Sequence, residues 1–217
     1  DHLDLHSFPT RRSSDLNGLL QQDYLRTRSK QWLYFAPRRL VEILANQETL
    51  ESIALVKQGI ISGDNDRYVR LWWEVPGNDS RWRPYYYNSD DIFWGAGGRP
   101  LHAIDWREGR TWRFIRPRSP ELHFREGITF GRLGKDFRAC RLPSDCLFDV
   151  NASGALLHSR NFEGWVLSYL SSPLVGSLLR ALNVSLTFLI QDVAGIPVPL
   201  DISGQQRGVL ERYCADL

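Results

Sequence analysis

Between Lys57 and Tyr68 the chain reads KQGIISGDNDRY, and Arg67, Tyr68, Arg70, Trp72 and Trp73 follow in quick succession. Gly59 and Gly63 let the backbone take positive φ or lie close against another group, while Asp64 and Asn65 favour a turn bonded to its own amides. Exposed amides beside guanidinium groups suit a phosphate backbone. The plainer reading of the same residues is a tight turn between two strands.

The charge of the 217-residue chain is distributed unevenly. Lys57 to Arg141 holds sixteen basic and eleven acidic residues, whereas Leu142 to Leu217 holds four basic and seven acidic. Lysine occurs only at Lys30, Lys57 and Lys135, so the basic middle is almost all arginine. Arginine offers a planar fork that binds phosphate or guanine through two bonds at once. Six of the eight tryptophans fall between Trp72 and Trp112 in the same stretch. Rings that stack or wedge beside guanidinium groups suit nucleic acid. A β-rich core of buried tryptophans and solvated arginines has the same composition.

Several chemistries are excluded by what is missing. Cys140, Cys146 and Cys214 are odd in number and lack CxxC spacing, which argues against a disulfide framework or a zinc site and points to a reducing cytoplasm. His102, His123 and His158 are scattered without ligand spacing. Asp90 with Asp91, and Asp64 with Asp66, read as solvated turns before they read as magnesium ligands. No lysine has an acidic residue two positions before it, and there is no GxSxG, HExxH or Asn-Pro-Pro. The apolar run from Trp165 to Ile190 is interrupted by Pro173, Arg180 and Asn183, too short for the ~20 apolar residues of a membrane span. The fragment is expected to catalyse nothing alone.

The elements that must hold these residues follow from periodicity and punctuation. Pro37 opens a short amphipathic helix with Leu40, Ile43 and Leu44 on one face. Strands are expected at Ile53 to Lys57 and Arg67 to Val75, and Pro76-Gly77-Asn78-Asp79 announces a turn. Trp82 to Arg118 reads as short strands and long loops, and Gly127 to Val150 as further strand. Phe162 to Leu170 and Pro173 to Leu182 have helical spacing, and the proline separates two helices. Ser185 to Pro199 reads as extended, and Ile202 to Tyr213 as a last helix. The expected fold class is α+β, with a mixed or antiparallel sheet and long loops, flanked by helices near the N-terminus and in the C-terminal third. Residues 17–50 form a helical lead-in, 51–150 a β-rich core and 151–217 a helical part of the same domain.

Asp1 to Leu16, DHLDLHSFPTRRSSDL, resembles the translation of a sequencing adapter and is read as a non-native segment. Native sequence is expected from Asn17.

Six further pieces carry a resemblance: the turn from Lys57, Arg70-Leu71-Trp72-Trp73-Glu74-Val75, Trp82-Arg83-Pro84-Tyr85, Phe124-Arg125-Glu126-Gly127-Ile128-Thr129, Leu147-Phe148-Asp149-Val150 and Gln191 to Pro199. In this order they resemble the C-terminal target-recognition region of the adenine-specific DNA methyltransferases of BREX phage-defence systems and of related single-chain restriction-modification methylases. The resemblance implies a DNA-binding fragment of an adenine-N6 methyltransferase, with S-adenosylmethionine and the catalytic motifs in a part upstream of residue 17. It implies double-stranded DNA as partner, other defence-system proteins as further partners, and no membrane. Lys57, Arg67, Arg70, Arg132 and Lys135 would meet phosphates, and Thr129 could donate to one. Arg81, Arg83 and other residues up to Arg118 would reach base edges. Gly59, Gly63 and Gly127 would allow close approach, and Asn65 and Arg125 complete the expected DNA-binding set. Trp72 and Trp73 are assigned to the core. Two other classes remain: a protein-interaction scaffold of a defence complex and an aromatic-rich carbohydrate-binding module. Tyr86 to Asp91 departs from the family, which commonly has a glycine- and lysine-containing turn there, so a phosphate contact at that turn is in doubt.

Overall fold

Helix α1, Arg38–Asn46, belongs to a first unit of the chain, Asp1–Gln47, and everything after it to a second, Glu48–Leu217. The computed structural model describes residues 38–46, 48–94, 99–106, 118–159, 163–183, 185–200, 203–206 and 208–209. The adapter-like segment, most of the lead-in, the Gly95 to Gly98 run, the arginines between 107 and 117, Cys214 and most of the expected last helix lie outside them. In α1 the buried residues are Val41 and Leu44, while Ile43 is 43% exposed. The buried face therefore includes Leu44, as expected, together with Val41, and leaves Ile43 outside it.

The second unit contains two four-stranded sheets. It runs through α2 (Leu50–Ile53), β1 (Ala54–Lys57), α3 (Asn65–Tyr68), β2 (Val69–Leu71), a 3-10 turn (Trp72–Glu74), β3 (Trp82–Tyr86), α4 (Ser89–Trp94), β4 (His102–Asp105), β5 (Gly127–Gly131), β6 (Ala139–Leu142), β7 (Leu147–Phe148), β8 (Ala152–Leu157), α5 (Glu163–Leu170), α6 (Pro173–Leu182) and α7 (Ile190–Ala194). The first sheet has the order β1-β8-β5-β6 and is antiparallel throughout. The second has the order β2-β4-β3-β7, antiparallel except for the β3–β7 pair. The fold is α+β.

The central strands of the first sheet are buried on both faces, as their lack of polar alternation requires. Ile128 and Phe130 of β5 pack with Trp165, Val166, Leu170, Val175, Leu179 and Phe188 from the helical layer. The other face, with Leu142 and Leu156, packs against Tyr86, Ile92, Leu122 and Phe148. Pro173 starts α6 where its missing N–H leaves no helical bond unmade, so α5 and α6 are two helices. Burial pushes the Cys140 thiol up to about 12 and raises that of Cys146 as well, which keeps both in the unreactive thiol form.

Two segments depart from the expected strands. Arg67 to Val75 begins with the last turn of α3, narrows to the three residues of β2 and ends in the 3-10 turn. Asp64 caps α3 by accepting the Arg67 N–H at 3.1 Å, and the Glu74 carboxylate accepts the Leu71 N–H at 2.8 Å. Side-chain acceptors thus hold a helical turn before the strand and a 3-10 turn after it. Ser185 to Pro199 contains α7, whose buried Asp192 accepts from Asn183 Nδ2 at 3.3 Å.

Candidate nucleic-acid interface

The turn that joins β1 to β2 divides the expected contact residues into two groups. Gly59 is buried, and a Cβ there would lie 1.9 Å from the Phe148 carbonyl oxygen, so its glycine is required by the approach of β7. Gly63 is exposed with φ 73°, the left-handed conformation that lets the chain turn into α3. Asn65 accepts from the Ser62 hydroxyl and donates to Tyr87 Oη at 2.7 Å. Lys57 and Arg67 are exposed, the latter with its guanidinium 5.3 Å from the Tyr68 ring centroid. Arg70 is half-buried and donates to the backbone oxygens of Asp66 and Val69, which fixes it along β2.

On β3 and beyond the arginines are also partly committed. Arg81 has Nε 3.5 Å from Asp79 and 3.6 Å from Asp105, and lies over the Trp82 ring. The Arg83 guanidinium sits 5.9 Å from the Phe124 centroid, with its Nε buried. Arg125 and Lys135 are exposed.

Three of the expected residues face inward. Thr129 is fully buried, and its hydroxyl donates to the carbonyls of Ala152 and Ser153 at 3.0 and 3.2 Å. It cannot reach a phosphate, because β8 covers it. Gly127 is buried in β5, where a Cβ would come within 2.8 Å of the Ala155 carbonyl. Arg132 donates from Nε to Phe188 and from Nη1 to Val150, both at 3.2 Å, and so ties the end of β5 to the segments on either side.

Trp72 and Trp73, assigned to the core from the sequence, lie at the surface. They are 60% and 57% exposed, with rings meeting edge to face at 5.6 Å. The 3-10 turn lifts both off the sheet. A signal was present in their adjacency: neighbouring residues of a strand point to opposite faces, so burying both would require two covered faces there.

Beside the pair, the second sheet carries an open pocket of about 540 Å³ with Trp72, Trp82 and Arg99 in its lining. On the other side of β4, Asp91 is fully buried and accepts from the N–H groups of Tyr87, Asn88, Leu101 and His102 and from His102 Nδ1 at 2.8 Å. Asp91 is therefore a structural clamp. Among the described residues no group of three or more His, Cys, Asp or Glu side chains could hold a metal ion. Among the same residues no helix is long and apolar enough to cross a membrane.

S-adenosylmethionine carries sulfonium and ammonium cations. Arg99 faces the pocket as a cation, and the carboxylate in its lining, Asp79, already accepts from Arg81, so these residues do not fit that methyl donor.

No protein-family model matches the sequence. The chain is similar to the adenine-specific methyltransferase PglX of Lacticaseibacillus casei (strain Zhang), at 24% identity over 79% of this chain and 16% of that protein. It thus spans less than a fifth of the curated relative it matches. The likeness supports a distant relationship to that protein.

Proposed function

We propose that this chain is the DNA target-recognition segment of a site-specific adenine-N6 DNA methyltransferase, of the phage-defence or restriction-modification kind. The observation that carries the reading is the match to an adenine-specific methyltransferase on a chain that contains no Asn-Pro-Pro motif. Such an enzyme must extrude its target base, and a second surface must hold the flanking duplex. S-adenosylmethionine would supply the methyl group in the parent enzyme, and methyl transfer is assigned to no residue of this chain.

The exposed cations Lys57, Arg67, Arg125 and Lys135 are the phosphate contacts in this reading, with Arg70 and Arg81 as fixed guanidinium groups beside them. Trp72 and Trp73 supply ring faces for stacking or wedging. Gly59, Gly127, Thr129 and Arg132 support the fold.

Salt titration tests the reading. Duplex affinity measured by anisotropy should fall with rising salt, with a log–log slope of about 0.9 for each phosphate neutralised. Arg67→Ala should reduce that slope by about 1 and weaken all sequences alike. A slope near zero, or one unmoved when both Lys57 and Arg67 are replaced by alanine, would remove the phosphate-contact surface.

A further inference from the structure

The register of the second sheet sets Trp82 opposite Asp105 and Pro84 opposite Ala103, so Trp82, Pro84 and Ala103 project from one face. Val69, Ile104 and Tyr85 occupy the opposite face and are buried in a small core. The first face is where the pocket lies. Its volume, about 540 Å³, falls within the roughly 300 to 1,000 Å³ of sites that enclose a small ligand. A single nucleotide is of that size, and a duplex is not.

The lining decides what kind of molecule would fit. Flat apolar surfaces dominate: the indoles of Trp72 and Trp82 and the rings of Pro76, Pro84 and Pro100. Trp72 is held edge to face by Trp73, so its ring is oriented and still largely exposed. The Trp82 indole N–H is buried without a hydrogen-bond acceptor among the described residues, an uncommon condition for a group that can only donate. Arg99 is exposed and makes no hydrogen bond or ion pair with a described residue. The carboxylate in the lining, Asp79, accepts the Arg81 backbone N–H at 3.0 Å and lies 3.5 Å from Arg81 Nε.

A site with flat apolar walls, an unpaired cation and an already engaged carboxylate calls for a planar ring and an anion and has no place for a second cation. A nucleotide meets all three demands. A neutral sugar meets them poorly, because it brings no anion to Arg99. We propose that the pocket binds one nucleotide, with the base laid against Trp72 and the phosphate on Arg99. The inference rests on the DNA-recognition reading and adds to it a place for a single unpaired nucleotide, separate from the base that the parent enzyme would modify.

The test uses the whole 217-residue chain and the deoxynucleotide of the fluorescent base 2-aminopurine. Its emission should be quenched saturably by stacking on tryptophan, and dAMP should compete. Trp72→Ala should weaken binding roughly ten-fold or more, as expected for loss of a stacked ring. Arg99→Ala should bring the nucleotide down to the affinity of the nucleoside. Both side chains are exposed, so neither variant is expected to unfold the chain. A duplex carrying one unpaired 2-aminopurine distinguishes the source. Quenching displaced by free dAMP identifies a nucleotide of the DNA strand, and quenching of the mononucleotide alone identifies a free one.

Absence of saturable quenching well beyond about 1 mM overturns the proposal. So does binding unchanged by both variants, or binding displaced by an oligosaccharide and not by dAMP. If duplex binding keeps its salt slope while the mononucleotide titration stays flat, the pocket inference fails alone. If the mononucleotide binds and the duplex shows no salt dependence, the target-recognition reading fails and the pocket stands.

Discussion

Trp165 and Trp73 are the same residue in two different settings. Trp165, on α5, is fully buried against the first sheet, whereas Trp73, in the 3-10 turn after β2, is 57% exposed. The basic residues divide in a similar way. Near the first sheet Arg132 donates to Phe188 and Val150, and Arg180 donates to the backbone of Gly134, Lys135 and Ser185 while lying over the Phe188 ring. Near the second, Arg67 and Arg99 remain exposed. The first sheet uses arginine and tryptophan to close its own carbonyls and core. Beside the second, Arg70 and Arg81 are committed in the same way, but Arg67, Arg99, Trp72 and Trp73 stay open to a partner.

The largest effect expected from this contrast is on stability. Trp165→Ala should lower the unfolding free energy by ~3–5 kcal/mol, the usual loss for a fully buried aromatic ring, as measured by urea denaturation. A loss under about 1 kcal/mol would mean that the helical layer does not depend on this ring, and the contrast with Trp73 would collapse.

What could be read from the sequence follows from how local its causes are. The helices at Glu163–Leu170 and Pro173–Leu182 were legible because their apolar spacing and the proline between them act within one or two turns. The short strand at Val69–Leu71 was not, because the Asp64 cap holds Arg67 in α3 and the Glu74 side chain takes the Leu71 N–H. The 3-10 turn that follows hid the exposure of Trp72 and Trp73. Thr129 and Arg132 were misplaced for a different reason: their burial depends on β8 and on the segment near Phe188, distant in sequence. Nothing beside either residue marks it as inward. The α+β class needed only the order of the elements, but the division into two sheets depends on pairings such as β3 with β7, which no local pattern encodes.

Asp149 lies where the two sheets meet, and it gives the intermediate effect. Tyr85 of the second sheet donates to its Oδ2 at 2.6 Å, and the Asn151 N–H donates to Oδ1 at 2.8 Å. Burial raises its proton affinity above the ordinary carboxyl value despite those bonds, and also raises the Tyr85 hydroxyl. The folded state therefore holds this proton more tightly than the unfolded chain does. The resulting stability is fully present below the unfolded value of about 3.9 and is lost as pH rises through the folded value. Wild-type stability measured relative to Asp149→Asn should accordingly decline from acid pH towards neutrality, by about 1.4 kcal/mol for each tenfold difference in proton affinity. Taking the difference cancels the similar contribution of Asp192, which burial also raises. A difference that stays flat across the range would show that the junction tolerates the charge without penalty.

The smallest stability effect is expected at Trp73, and it is the most informative about the second sheet. Its ring contacts Trp72 edge to face and is otherwise largely in solvent, so Trp73→Ala should change the unfolding free energy by no more than about 0.5 kcal/mol. Duplex affinity should respond differently, because the substitution removes one ring face and releases the ring that Trp73 orients. Stacking losses are about 1–3 kcal/mol per base, so affinity should fall several-fold or more while the urea midpoint stays in place. Trp73→Phe retains an aromatic edge and should recover part of that affinity. If Trp73→Ala instead destabilises the chain by about 2 kcal/mol or more, the pair belongs to the fold. Its exposure would then carry no information about a partner, and the second sheet would lose the feature that most separates it from the first.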